Sequence, residues 1–254
     1  MVEIADAATV GVLLTGSHAR GDATRYSDVD LLRFVADLPP EEAGRYTLLH
    51  RGGWLVSVST TTIAAKRAEL ARPETAIWAV PGLRQARILL DPDAALAALH
   101  REAMAFEWAP LQDAANAYAS YTVMGDAEEV HKILAALARG DESATLYGTL
   151  GLVLGLARAV AVQRGLLIQT ENAYFRQVQE AVGPGSAWTR YFRLAAGFDA
   201  SRSAGSAEPA RERGLAALGL YRETVTLLRP ILRPAHHDVI QATLAAIHEC
   251  AALS

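Results

Sequence analysis

The stretch that most constrains this chain is Val10 to Phe34, VGVLLTGSHARGDATRYSDVDLLRF. An apolar run, Val10 to Leu14, has the length of a buried strand and is broken by Gly16-Ser17. A small polar stretch with His18, Arg20 and Arg25 follows, then Ser27-Asp28-Val29-Asp30 and a second apolar run. Alternate residues of a strand share a face, so Asp28 and Asp30 are expected to point one way and Val29 and Leu31 to enter the core. Two neighbouring carboxylates repel each other and lose solvation unless a cation sits between them. Mg²⁺ is the natural partner, because it takes one or two protein carboxylates together with substrate phosphates. Gly16 and Ser17 supply a tight turn whose N–H groups and hydroxyl suit phosphate oxygens. Arg20 and Ser27 stand within the same segment as further candidate phosphate contacts.

The rest of the chain sets the frame for this motif. Its 254 residues allow one large domain or two small ones, and 51% hydrophobic residues supply a core. The net charge of −4 argues against a general grip on nucleic acid, which needs clustered Lys and Arg. The one cysteine, Cys250, cannot close an intrachain disulfide, which points to a reducing, cytoplasmic setting. The N-terminus carries acids and no basic region of the kind that opens a signal peptide. The most apolar stretch, Leu146 to Val162, is interrupted by Arg158 and reads as a buried core helix rather than a membrane span.

Residues up to about Ala8 read as a lead-in. Pro39-Pro40 closes the second strand, and Glu41 to His50 is expected to hold a short helix or an irregular connection. Trp54 to Thr60 alternates and is β-branched, so it reads as a third strand after the Gly52-Gly53 turn. A helix over Ile63 to Ala71 follows, capped by Thr60 to Thr62 and ended by Pro73. Ile77 to Val80 and Ala86 to Leu90 are expected as short strands, and Ala94 to Phe106 as a helix. Beyond this point the pattern is helical: 110–121, 127–139, 142–165, 171–182, 186–196, 211–228 and 237–253, with a Ser/Gly/Ala-rich loop over 199–208. The expected fold is α+β, a small mixed sheet domain over 1–105 followed by an all-helical bundle over 106–254.

Strand, Gly-Ser turn, S-D-x-D and apolar continuation together resemble the signature of the DNA-polymerase-β-like nucleotidyltransferase superfamily. The order of a sheet domain and then a helical domain resembles its kanamycin-type aminoglycoside branch. The stretches Gly53 to Val58 and Ala86 to Asp91 are similar to strands of that branch, and Gly155 to Gly165 with Val178 to Val182 to its late helices. The resemblance implies transfer of a nucleoside monophosphate from a Mg²⁺-bound triphosphate, ATP being the expected one, to a hydroxyl of a small, aminoglycoside-like acceptor. It implies Asp28 and Asp30 as metal ligands and catalytic residues, with Gly16, Ser17, Arg20 and Ser27 at the phosphates. It also implies a homodimer. That branch carries E-x-x-x-K on a helix, the glutamate as general base and the lysine on phosphate. Glu128 and Lys132 fit the spacing, with Glu129 a rival for the base, and an i,i+4 ion pair explains the same spacing. The third metal carboxylate of the superfamily falls at Ser57, a poor Mg²⁺ ligand. The alternatives are therefore one metal with a glutamate base, a carboxylate supplied from elsewhere, such as Glu69 or Glu74, or a weakened nucleotide-binding or antitoxin-type protein. His236-His237-Asp238 superficially resembles a metal cluster, but adjacent helix residues do not face one point, and a structural cap is the expectation.

Overall fold

The computed structural model describes residues 6–39, 45–199 and 208–252. The expected features at the N-terminus, at Pro40 to Glu42 and over 200–207 lie outside those residues. The chain divides into two compact units, 1–111 with 167–171, and 112–166 with 172–254.

The first unit is built on a five-stranded mixed sheet. β1 (Thr9–Thr15) leads through a single helical turn, α1 (Gly16–Arg20), and a loop to β2 (Val29–Val35). β3 (Tyr46–Arg51) and β4 (Trp54–Thr61) form a hairpin, then come α2 (Ile63–Leu70), α3 (Pro73–Gln85), β5 (Arg87–Leu90) and α4 (Ala95–Met104). The strand order is β3-β4-β2-β1-β5, with β2 and β4 parallel and the other neighbours antiparallel.

Three sequence expectations are corrected here. β3 occupies much of the segment expected to be helical or irregular. It is an edge strand, exposed at five of its six residues, so it has no apolar alternation to betray it. The Gly52-Gly53 turn holds it to β4, with φ of +55° and +85°, the pair of left-handed residues that suits a tight hairpin. Second, Ile77 to Val80 lies inside α3 rather than in a strand. Pro73 opens that helix at its first turn instead of merely stopping α2, and Ala76, Ile77, Val80 and Leu83 form its buried face at helical spacing. Third, Val29 and Leu31 are only half-buried. Leu32 and Phe34, in phase with Asp30, enter the core with Leu13, Leu83, Leu96 and Leu99. The face that carries Asp30 at the start of β2 is thus the face that the helices cover further along.

Pro81 within α3 has no N–H to give the Ile77 carbonyl, four residues back. That carbonyl instead accepts from the Ile168 N–H at 2.8 Å, which ties 167–171 into the first unit. Asp91 caps α4, accepting from the N–H groups of Leu96 at 2.9 Å and Ala97 at 2.8 Å.

The second unit is helical: α5 (Gln112–Gly125), α6 (Ala127–Arg139), α7 (Glu142–Gln163), α8 (Tyr174–Val182), α9 (Ala187–Ala196), α10 (Pro209–Leu228) and α11 (His237–Ala252). α7 packs against α5, α6, α9 and α10, and its Leu152, Leu156, Ala159 and Val160 are fully buried. Among the described residues it is the one helix long and apolar enough to cross a membrane, and 61% of its most apolar window is buried. Asp141 and Ser186 cap α7 and α9, each accepting an N–H from three residues on. The stacked pair Trp188–Phe192, with Trp188 Nε1 donating to Thr224 Oγ1 at 2.8 Å, joins α9 to α10. The fold is therefore a small mixed sheet followed by a helical bundle.

Candidate functional site

The Gly-Ser turn and the S-D-x-D segment meet at the end of β1. Thr15 pairs with Asp30 across the antiparallel β1–β2 ladder, so α1 begins beside the start of β2. Gly16 adopts φ +66°, and a Cβ built there would stand 2.0 Å from Asp30 Oδ2. Only glycine meets both demands, the left-handed backbone and the close approach of the carboxylate. Ser17 makes no side-chain hydrogen bond among the described residues, and its carbonyl closes the turn by accepting from Gly21 and Asp22.

The parallel β2–β4 register sets Ser57 directly beside Asp30. Ser57 is 4% exposed and its hydroxyl donates to Asp30 Oδ1 at 2.7 Å. Asp30 is therefore held on both oxygens, one by the hydroxyl and one against the Gly16 turn. Asp28 lies two residues earlier at the mouth of β2 and is likewise half-buried. Among the described residues no third His, Cys, Asp or Glu joins them in a group that could hold a metal. Glu69 is engaged by Lys66 at 2.7 Å, and Glu74 sits in the first turn of α3. Two carboxylate residues without a third are a donor set that fits one oxygen-loving dication completed by phosphate oxygens.

The other candidates in this segment have local jobs. Ser27 Oγ accepts from the Thr24 N–H at 2.9 Å and so closes the loop before β2. Arg20 is paired with Asp22 at 3.1 Å, and Arg25 lies 4.4 Å over the Tyr26 ring. His18 meets the edge of Trp54 with ring centroids 5.5 Å apart. Its Nε2 is buried and has no hydrogen-bond partner among the described residues, which marks it as a polar atom left unsatisfied next to the turn.

Glu128, Glu129 and Lys132 lie in the helical unit, on α6. Lys132 Nζ sits 2.9 Å from Glu128 Oε1 and 2.7 Å from Glu129 Oε1, and these two carboxylates raise its pKa. Glu128 is mostly exposed, whereas Glu129 turns inward, its Oε2 buried without a partner among the described residues. Beside it is Asp126, not anticipated from sequence. Burial first, and the charge of Glu129 second, push its pKa up to about 7. Both acids seat on α7 where it lacks side chains: a Cβ at Gly155 would stand 2.6 Å from the Asp126 carboxylate, and one at Gly151 3.2 Å from Glu129 Oε2. The available signal was Gly151 and Gly155, four apart on an apolar helix, opposite D-x-x-E on its neighbour.

His236 and His237 diverge. His236 Nδ1 lies 2.9 Å from Ser120 Oγ, and His237 Nε2 lies 3.2 Å from the Leu232 carbonyl.

No curated protein matches the chain. Among solved structures, a nucleotidyltransferase-like protein from Exiguobacterium sibiricum 255-15 shares the fold, with a TM-score of 0.50 and 13% identity over 98% of this chain and 74% of that one. Residues 3–69, which hold Gly16, Ser17, Asp28, Asp30 and Ser57, match the family model of the nucleotidyltransferase domain.

Proposed function

We propose that this chain transfers a nucleoside monophosphate from a Mg²⁺-bound nucleoside triphosphate, ATP by preference, to a hydroxyl of a small molecule, the hydroxyl oxygen bonding to the α-phosphorus as pyrophosphate leaves. The observation that carries this reading is the seat of Asp30 between the Gly16 turn and Ser57, inside the segment that matches a nucleotidyltransferase domain. Asp28 and Asp30 hold the cation, which when bound neutralises charge on the phosphates. The backbone of Gly16 and the free hydroxyl of Ser17 hold phosphate oxygens and orient the chain of phosphates for in-line attack. Arg20, Ser27 and Lys132 add phosphate contacts, although Arg20, Ser27 and Lys132 must each give up a present partner to do so. Glu128, exposed and hinged on Lys132, takes the proton from the acceptor hydroxyl. Likeness of the sequence to the kanamycin-type branch favours an amino-sugar acceptor and a homodimer, and the single cysteine favours a cytoplasmic setting.

The test is incubation with labelled ATP, Mg²⁺ and a panel of hydroxylated small molecules, amino sugars among them. A labelled adduct that disappears in Asp30→Asn supports the reading. No adduct from any triphosphate, in the presence of measurable nucleotide binding, rejects transfer.

A second reading is favoured by one observation, the Ser57 hydroxyl standing where a further carboxylate would extend the acidic pair. On that reading the chain binds a triphosphate without turning it over. Calorimetry would then show binding, and Ser57→Glu would not bring turnover. Turnover gained by Ser57→Glu would instead mark a weakened enzyme.

A further inference from the structure

The last two helices of the helical unit frame a cavity of about 760 Å³ whose chemistry belongs to none of the groups above. Arg222, Thr226 and Arg229 recur at i, i+4 and i+7 along α10 and its end, and His237, Gln241 and His248 lie on one stripe of α11. Val225, Leu232 and Leu244 give the same cavity an apolar wall. Its lining contains two guanidiniums and two imidazoles and no carboxylate. The acids nearest in sequence, Glu223, Asp238 and Glu249, each follow a lining cation by one position, which turns them about 100° around the helix. Neither the Arg222 nor the Arg229 guanidinium has an ion pair or hydrogen bond among the described residues. His237 donates through Nε2 to the Leu232 carbonyl, because a carbonyl can only accept. In a chain of net charge −4, four cationic or titratable bases around one concave surface are a concentration against the overall charge.

We propose that this cleft binds an organic phosphate. Arg222 and Arg229 hold the phosphoryl oxygens with their planar forks, and His248 adds a ring N–H. Thr226 and Gln241 supply neutral hydrogen bonds, and the organic part lies on Val225 and Leu244. The cavity volume falls in the range of small-molecule sites, which favours a mononucleotide-sized ligand over a bare ion. This site is independent of the acidic pair on the sheet and of the reaction proposed there.

The test separates the two sites. Full-length Asp28→Asn/Asp30→Asn protein, in EDTA, is titrated calorimetrically with adenosine 5′-monophosphate and, in a second arm, with inorganic phosphate. The expected result is one equivalent of the nucleotide bound, and inorganic phosphate bound more weakly. Arg222→Gln/Arg229→Gln on that background weakens nucleotide binding at least about tenfold, and Arg222→Lys/Arg229→Lys weakens it less. Circular dichroism verifies that each variant folds. Absence of nucleotide binding overturns the proposal, as does binding that Arg222→Gln/Arg229→Gln leaves unchanged. Binding of an RNA oligonucleotide in place of either probe also overturns it.

Discussion

Gly16→Ala tests the contact on which the candidate site rests. The substitution meets two separate costs. The backbone is left-handed there, with φ +66°, which penalises a Cβ by about 1–2 kcal/mol. The added carbon also falls 2.0 Å from Asp30 Oδ2 and 2.9 Å from its Cγ, so Asp30 or the turn must move. Moving Asp30 gives up its hydrogen bond from Ser57, a bond to a charged group of the kind that contributes about 1.5–3 kcal/mol. Gly21 supplies the control, because its φ is +85° and nothing lies within 4 Å of a Cβ built on it. Gly21→Ala should therefore meet only the first cost. Unfolding free energies from urea denaturation followed by circular dichroism should fall by about 1–2 kcal/mol for Gly21→Ala and by about 2.5–5 kcal/mol for Gly16→Ala, as the two costs add. Titration with ATP and Mg²⁺ should show binding weakened at least about tenfold in Gly16→Ala relative to Gly21→Ala, since only the former displaces Asp30. Equal effects of the two substitutions on stability and binding would refute the idea that Asp30 is seated by this turn.

Ser57→Asp replaces a donor beside Asp30 with a second negative charge, a repulsion of about 4 kcal/mol at about 4 Å and an effective dielectric near 20. Its melting temperature should fall without divalent ions and recover on adding Mg²⁺ by more than the wild type does; an identical Mg²⁺ response in the two proteins would contradict the placement. Asp126 binds its proton more tightly folded than unfolded, so its contribution to stability declines as pH rises from about 4 to about 7 and is flat above. The decline is at most about 4 kcal/mol. Asp126→Asn should abolish that decline in denaturation profiles taken across this range, and a wild-type slope surviving in the variant would count against a buried, neutral Asp126. Pro81→Ala restores an N–H that competes for the Ile77 carbonyl, so amide exchange at Ile168 should quicken; unchanged protection there would show that the Ile77–Ile168 bond does not depend on the proline.

What could be read from sequence was what the chain keeps local. Gly16-Ser17 and Asp28-x-Asp30 sit within one strand–turn–strand segment, and the strand pairing sets Asp30 beside the turn. Helices such as 127–139 were legible because their caps and periodicity are also local. Long-range pairing was not legible. β3 owes its existence to the hairpin with β4, and its exposed residues carry no alternation. The apolar run Ile77 to Val80 fits a strand as well as a buried helix, and only packing against the sheet decides. Val29 and Leu31 looked like core residues because a strand with acids on one face suggests apolar residues behind. The helices instead cover the acidic face itself from Leu32 onward.

The same limit governs the choice between Glu128 and Glu129. Helical spacing places both within reach of Lys132, at i,i+4 and i,i+3, so sequence cannot separate them. Burial separates them. Glu129 has one carboxylate oxygen enclosed against Gly151 and adds its charge to the field that keeps Asp126 protonated. Moving it toward an acceptor would uncover that pair and let Asp126 ionise, so its position is tied to the α6–α7 packing. Glu128 has no such tie beyond Lys132, and an exposed carboxylate can swing to a hydroxyl without disturbing the helix contact. If one of the two accepts the proton in the proposed transfer, Glu128 is the one whose carboxylate can move without disturbing the α6–α7 packing.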